Sequence, residues 1–185
     1  IVDRIDYSND TATASPKGPL SLARISLAAT GNASFGYFGG AFPGPHSTVD
    51  RIDYSNDTAT ASPKGPLSSA RGQFAATGNA DFGYFGAGYD DNPNRVSTVD
   101  RVDYSNDTAT AVAKGPLSQV VMNHGACSSR ANAIPLKGPG NLEVPVSLGA
   151  FSRNFGPQGT DFGYFGGGGP APVFSTVDRI DYSND

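Results

Sequence analysis

The polar phrase VDRIDYSNDTATA is the feature that most constrains how this chain can fold. It begins at Val2, Val49 and Val99 with almost no change, and its first nine letters return at Val177. Two further phrases, KGPLS and FGYFG, recur between these copies in a constant cyclic order. The copies are spaced by 47, 50 and 78 residues, so the chain is a tandem array of one module. A period of this size is typical of a solenoid, a propeller or another array.

Each module reads as short strands separated by turns. Residues 25–30 and 72–77 precede the turn signal GN, and the SFGYFGG phrase then predicts a second strand. The phrase STVDRIDY is rich in β-branched residues and predicts a third strand, SND predicts an Asx turn, and TATAS predicts a short fourth strand. PKGPLS reads as a connector, because proline cannot donate to a sheet. No segment has a helical period, so we predict an all-β protein with four strands per module.

The phrases resemble the kelch repeat, whose blade has an arginine before the first strand, a double glycine after an aromatic strand, and a tyrosine that closes the third strand. Arg24 and Arg71 stand at the place of the kelch arginine. The glycines and tyrosines that match are Gly39, Gly40, Gly166, Gly167, Tyr7, Tyr54, Tyr104 and Tyr182. The resemblance implies a kelch-type β-propeller, or part of one, with four-stranded blades. The same phrases are loosely similar to repeat-rich kelch-like proteins of marine phages and environmental bacteria.

The chain departs from the kelch pattern in three places. It has no tryptophan for the fourth strand, Ala87 replaces the second glycine in one copy, and the third copy lacks the arginine. A stacked β-solenoid is the alternative architecture, because repeated β modules can also pile linearly.

The spacing of the phrases divides the chain into modules. The predicted parts are a partial blade at 1–21, blades at 22–68 and 69–118, an insert or degenerate blade at 119–147, and a partial blade at 148–185. Because the chain opens on Ile1, we expect a fragment or a processed product of a protein with more copies. The apolar patches of the 119–147 segment favour an interface between subunits or modules.

Composition and charge exclude several classes of function. A net charge of −4 and a pI near 5.0 disfavour a nucleic-acid partner, because no basic stripe is available to neutralise phosphates. No apolar run reaches the roughly 20 residues of a membrane span. His46 and His124 are too few and too separated for a zinc site, so no metal or cofactor is expected. The single cysteine, Cys127, excludes an internal disulfide. Cys127 and His124 could form a nucleophile and its base, but no third group is identified to orient them, so no catalytic residue is predicted.

The VDRIDYSND phrase invites a calcium interpretation, because Asp6, Ser8 and Asp10 have the alternating spacing of a calcium loop. The glycine and the distal glutamate of such a loop are missing. We therefore expect the arginine of each phrase to pair with the aspartates that flank it.

Function is expected in the loops that differ between the copies, at 41–46, 87–96 and 167–174. The candidate binding residues are Phe42, His46, Tyr89, Asp90, Asp91, Asn92, Asn94, Arg95 and Phe174. These loops favour a non-enzymatic structural or adhesion protein that binds glycan or protein. We expect it on a virion fibre or an extracellular appendage, where it associates with itself or with other virion or appendage subunits. The alternative is a sugar-active propeller enzyme, like the mutarotases and copper-containing galactose oxidases among kelch propellers. Near-identical copies disfavour it, because an active site requires the blades to differ.

Overall fold

The structure is a computed structural model that describes residues 1–90, 94–128, 162–169, 173–182 and 184. Across these residues the chain forms thirteen β-strands in four antiparallel sheets, with two short 3-10 turns and no α-helix. The all-β prediction is confirmed. Nothing in the described part of the chain has the helical length and apolar character that a membrane crossing requires.

The strands fall into a hairpin and three larger sheets. The N-terminal hairpin contains β1 (Asp3–Arg4) and β2 (Ser15–Pro16). Sheet I contains β3 (Ala28–Gly31), β4 (Phe35–Gly39), β5 (Val49–Asp53) and β6 (Ser62–Pro63). Sheet II contains β7 (Ala75–Gly78), β8 (Phe82–Gly86), β9 (Val99–Asp103) and β10 (Val112–Lys114). Sheet III contains β11 (Gly125–Ser128), β12 (Phe162–Gly166) and β13 (Val177–Asp181).

Each larger sheet is a meander whose strands pair in chain order. The register is the same in all three sheets, because the tyrosine of FGYFG always lies opposite the arginine of the VDR phrase. These pairs are Tyr37 with Arg51, Tyr84 with Arg101, and Tyr164 with Arg179. A slip of one residue would turn every buried side chain to the other face, so the apolar pattern maintains this register.

Side chains of the repeated phrases form the turns. The Oδ1 atom of Asn32 accepts hydrogen bonds from the backbone N–H groups of Ser34 and Phe35, and closes the turn between β3 and β4. Asp53 caps the 3-10 turn Tyr54–Asn56 by accepting from the Ser55 N–H. The fourth strand lies later than the TATAS phrase predicts, because the chain is still turning there.

The segment 119–147, expected to be an insert or a degenerate blade, is described only as far as Ser128. Within it, β11 pairs with β12 and becomes the first strand of sheet III. Residues 129–147 lie outside the described part of the chain. The described portion therefore continues the module pattern.

Neighbouring sheets contact one another through their first strands, in the order β3, β7, β11. A chain of backbone hydrogen bonds runs just before these strands: Gln73 donates to the Ser26 carbonyl, and Asn123 donates to the Gln73 carbonyl. All three residues have a positive φ, of 58°, 57° and 52° in chain order. Aromatic side chains fill the spaces between the sheets. The largest of them are Tyr37, Phe74, Phe85, Tyr84, Phe165, Tyr104 and Tyr182.

Candidate functional site

The meander topology separates repeated turns from variable loops. Alternate connections of an antiparallel meander lie at opposite ends of the sheet. The GN turns and the DYSND turns therefore share one end of each module. The loops that follow β4, β8 and β12 differ in sequence, and they leave the sheets at the other end, beside the connectors that precede the first strands. We call this second end the variable end.

At the variable end, residues of three modules line an open depression of about 610 Å³. Its lining consists of Phe42, Gln73, Tyr89, Asn94, Arg95, Val120 and Met122. The rings of Phe42 and Tyr89 meet edge to face, with centroids 5.1 Å apart. The depression thus combines two aromatic rings, two amides, a guanidinium group and two apolar side chains.

Backbone hydrogen bonds hold the loops around the depression. Tyr89 exchanges two of them with Gly72, at 2.9 and 3.1 Å, so its loop is fixed against the connector of sheet II. Asn94 donates its N–H to the Asp90 side chain, and its carbonyl accepts the Asp90 N–H. Phe42 donates its N–H to the Ile25 carbonyl. Asp90 therefore shapes the loop that presents Asn94 and Arg95.

Four of the nine candidate binding residues line this depression together: Phe42, Tyr89, Asn94 and Arg95. His46 lines a different depression, of about 680 Å³, against sheet I. Phe174 packs against the apolar core between sheets II and III. Asp91 and Asn92 lie outside the described residues. Gln73, Val120 and Met122 were not predicted as binding residues: Gln73 falls in the predicted first strand at 72–77, and Val120 and Met122 fall in the 119–147 segment that was expected to form an interface.

A buried ion pair supports the base of the variable loops. The Arg71 Nη1 atom donates to the Asp100 carboxylate at 2.9 Å, and both side chains are fully buried. The same guanidinium donates to the carbonyls of Phe85 and Ala87, and so fixes the chain where it leaves β8. Arg24 repeats part of this arrangement: its Nη1 atom lies 3.1 Å from the Asp50 carboxylate and its Nη2 atom donates to the Phe38 carbonyl, while its Nε atom makes no hydrogen bond. In sheet III, Val121 stands in the place of the arginine, and the sheet forms without the ion pair.

The arginines of the VDR phrases pair differently from the expectation. Arg51 donates to Asp107, the last aspartate of the following module's phrase, at 2.7 Å. Lys64 and the Tyr37 hydroxyl contact the same carboxylate, at 3.5 and 3.0 Å. Arg4 contacts Asp57 in the same way, at 2.7 Å. The expected pairing with flanking aspartates is therefore wrong where these partners are described, and the phrase joins neighbouring modules.

Stacked tyrosines form the second contact between modules. Tyr37 stacks on Tyr104 with ring centroids 4.6 Å apart, and Tyr84 stacks on Tyr182 at 4.7 Å. The hydroxyl of Tyr104 lies 3.2 Å from the Thr30 Oγ1 atom. Burial raises the pKa of Tyr104 well above its usual range, so its hydroxyl stays protonated.

His124 and Cys127, which lie three residues apart in the sequence, have different surroundings in the structure. The His124 ring takes the place that Phe74 has in sheet II and packs on Phe165, with centroids 5.9 Å apart. Burial lowers the pKa of His124, an effect that the nearby Gly86 backbone partly offsets. Neither ring nitrogen makes a hydrogen bond of good geometry. Cys127 is exposed on β11.

The lining of the variable end is polar and aromatic. Among the described residues, no carboxylate lies within ion-pair distance of Arg95, and no group of three or more His, Cys, Asp or Glu side chains is arranged to hold a metal ion. The fold and this surface together define an all-β repeat protein with a polar and aromatic depression built from its variable loops. No protein-family model matches the chain, and no curated protein matches it.

Proposed function

We propose that this protein is a kelch-type propeller scaffold, or part of one, that binds glycan at its variable end. It acts without catalysis, as a structural or adhesion protein of a virion fibre or an extracellular appendage. The observation that carries the proposal is the depression itself. Variable loops of neighbouring modules meet there, on sheets whose registers are identical. A repeated scaffold with differing loops is a common way to present a binding site.

The lining of the depression suits a sugar. Its volume of about 610 Å³ falls within the usual range for small-molecule sites. The rings of Phe42 and Tyr89 offer apolar faces to the C–H face of a pyranose, while the Gln73 and Asn94 amides offer donors and acceptors to its hydroxyls. Arg95 adds a planar donor for a hydroxyl pair or a carboxylate.

The sugar-active enzyme is the weaker candidate. Most glycoside hydrolases use a pair of carboxylates, and mutarotation uses general acid–base groups, most often histidine or a carboxylate. Among the described residues, the lining of the depression contains neither a carboxylate nor a histidine. The aromatic and amide groups of the lining therefore support the proposal of binding.

A glycan array followed by titration calorimetry with a monovalent hit tests the proposal. Tyr89→Ala removes one aromatic face, and we expect the dissociation constant to rise by about tenfold or more, which corresponds to roughly 1.4 kcal/mol. Tyr7→Ala is the matched control, because Tyr7 is 87% exposed and lies in a DYSND turn at the opposite end of the modules. The absence of any glycan hit, or the turnover of a bound sugar, would contradict the proposal.

A further inference from the structure

We propose that Asn9, Asn56 and Asn106, in three of the DYSND turns, are acceptor sites for N-linked glycosylation. Each of them opens the sequence Asn-Asp-Thr, which has the N-x-[ST] pattern of an N-glycosylation acceptor. Glycosylation of this kind marks surface loops of secreted proteins, so the proposal rests on the extracellular location given under the proposed function. Because the DYSND turns lie opposite the variable loops, glycans attached to them leave the depression uncovered.

Both residues that the acceptor pattern requires are exposed in every copy. Asn106 is exposed although sheet II has a neighbouring sheet on each side. The exposure is therefore a property of the turn and does not depend on the place of the module along the chain. The exposed pairs are Asn9 with Thr11, Asn56 with Thr58, and Asn106 with Thr108.

The aspartate in the middle of the motif points inward in two of the turns. Asp107 is buried and receives Arg51 at 2.7 Å and Lys64 at 3.5 Å. Asp57 receives an arginine and a lysine in the same way. These ion pairs fix the middle of the motif against a neighbouring module, while the asparagine and the threonine on either side face solvent. A bulky sugar on the asparagine would therefore displace no buried group.

The amide nitrogens of the three asparagines are available for modification. Among the described residues, none of their Nδ2 atoms donates a hydrogen bond. At Asn9, the Thr11 hydroxyl donates to the amide oxygen at 3.2 Å and leaves the nitrogen unoccupied. The backbone carbonyl of each asparagine accepts the N–H of the alanine three residues later, so main-chain groups hold the turn.

Asn32 offers a contrast, because it also begins an acceptor sequence, Asn-Ala-Ser. Its Oδ1 atom accepts the N–H groups of Ser34 and Phe35, each at 2.9 Å. Its Nδ2 atom donates to the Ala80 carbonyl of the next module at 3.4 Å. Both ends of the Asn32 amide are thus engaged in holding a turn, and we expect this asparagine to stay unmodified in the folded chain.

The modification is a glycosyl transfer from a glycosyl diphosphate donor, carried out by a transferase. The Nδ2 atom forms a bond to the anomeric carbon of the sugar, and the bond from that carbon to the diphosphate oxygen breaks. The diphosphate leaves with the electron pair, and Nδ2 gives up one proton to a base of the transferase. Nucleotide-linked and lipid-linked sugars both present this diphosphate, and the experiment separates these two sources.

The experiment has two arms. In the first, the purified folded chain is incubated with a soluble asparagine glycosyltransferase and UDP-glucose. In the second, the whole chain is secreted from a eukaryotic host that uses a lipid-linked donor. Intact mass and peptide mapping count and locate the sugars, and we expect one glycan on each of Asn9, Asn56 and Asn106 in at least one arm. The arm that gives the modification identifies the donor, and Asn32 should stay unmodified in the first.

Matched variants connect the modification to the motif. Thr58→Ala removes the hydroxyl that the pattern requires and should abolish the glycan on Asn56 alone, whereas Thr58→Ser should retain it. Thr60→Ala is the control, because Thr60 is an exposed threonine of the same phrase outside the motif, and this variant should be modified like the parent chain. Circular dichroism checks that all three variants fold.

Three results would overturn the inference: no sugar on the three asparagines in either arm, preferential modification of Asn32 in the folded chain, or an Asn56 glycan that survives Thr58→Ala. Tyr89→Ala weakens glycan binding at the variable end and should be modified like the parent chain. Failure of the binding proposal is therefore distinguishable, because it appears on the glycan array and leaves the mass of the modified chain unchanged.

Discussion

At the scale of single residues, one repeated glycine is explained by its backbone conformation. The glycine that follows FGYFG has a positive φ, which is 70° at Gly40 and 74° at Gly167. Ala87 has the same conformation, with a φ of 59°. A left-handed alanine costs roughly 1–2 kcal/mol, so this module bears strain that the other two avoid. What differs between the sites is the space that surrounds a side chain.

That difference gives a matched prediction for two glycines. Gly40→Ala places a Cβ atom against the Phe74 ring and the Arg71 carbonyl, whereas Gly167→Ala meets only a carbonyl at 3.9 Å. We expect Gly40→Ala to lower the free energy of unfolding by about 2–4 kcal/mol, and Gly167→Ala by about 1–2 kcal/mol from backbone strain alone. Urea denaturation measures both values. Equal losses would show that packing around Gly40 adjusts freely.

The buried pair of Arg71 and Asp100 gives a second prediction. Arg71→Ala leaves the Asp100 carboxylate buried with only the Ser68 groups as donors. We expect a loss of about 3–5 kcal/mol in the free energy of unfolding, because a buried charge without its partner is costly. Arg4→Ala is the control: its side chain is 59% exposed, so the change should stay within about 1 kcal/mol. Thermal and urea unfolding measure both variants. If Arg71→Ala lowers the free energy of unfolding no more than Arg4→Ala does, water reaches the Asp100 carboxylate and the prediction is wrong.

At the scale of elements, the sequence predicts most strands and few of their partners. The β-branched VDRID phrase and the glycine-flanked FGYFG phrase identify β4, β5, β8 and β9, because alternation and turn signals act locally. The fourth strand was predicted too early, because TATAS has strand-like composition but follows directly on the DYSND turn. The partner of Arg51 was missed because Asp107 lies 56 residues away. The depression was predicted in part. Its loop residues differ between copies and were named as candidates, whereas Gln73 falls in a predicted strand and Met122 falls in the 119–147 segment that was expected to pack against another module or subunit.

His124, directly before the first strand of sheet III, provides a pH-dependent prediction. Burial lowers the pKa of His124, so the folded chain favours the neutral ring while the unfolded chain titrates near 6.5. The contribution to stability is therefore present above about pH 6.5 and is lost as the pH falls toward the lowered folded value. His124→Phe restores the residue type of Phe74 and should remove this component. Melting temperatures from pH 8 to pH 5 should fall more steeply for the parent chain than for His124→Phe, and parallel curves would contradict the assignment.

At the scale of the whole molecule, the modules are joined by a small set of repeated contacts. Tyrosine stacking, the threonine hydroxyl and the aspartate that receives an arginine and a lysine recur at successive boundaries. In an array of this kind, stability is the sum of module terms and nearest-neighbour interface terms. Cooperative unfolding therefore depends on the boundaries more than on any one sheet.

Asp107 gives the sharpest test of this coupling, because it receives Arg51, Lys64 and the Tyr37 hydroxyl from the preceding module. Asp107→Ala should lower the free energy of unfolding by about 2–4 kcal/mol, since it removes the partner of the buried Tyr37 hydroxyl and of two partly buried cations. It should also reduce the urea m-value, because sheets I and II would no longer unfold together. Asp10→Ala is the equivalent change in the hairpin and serves as the control. It removes an exposed carboxylate that contacts no cation among the described residues, so the free energy of unfolding and the m-value should both stay unchanged. If Asp107→Ala lowers the stability but leaves the m-value intact, the stacked tyrosines alone are sufficient to couple the modules.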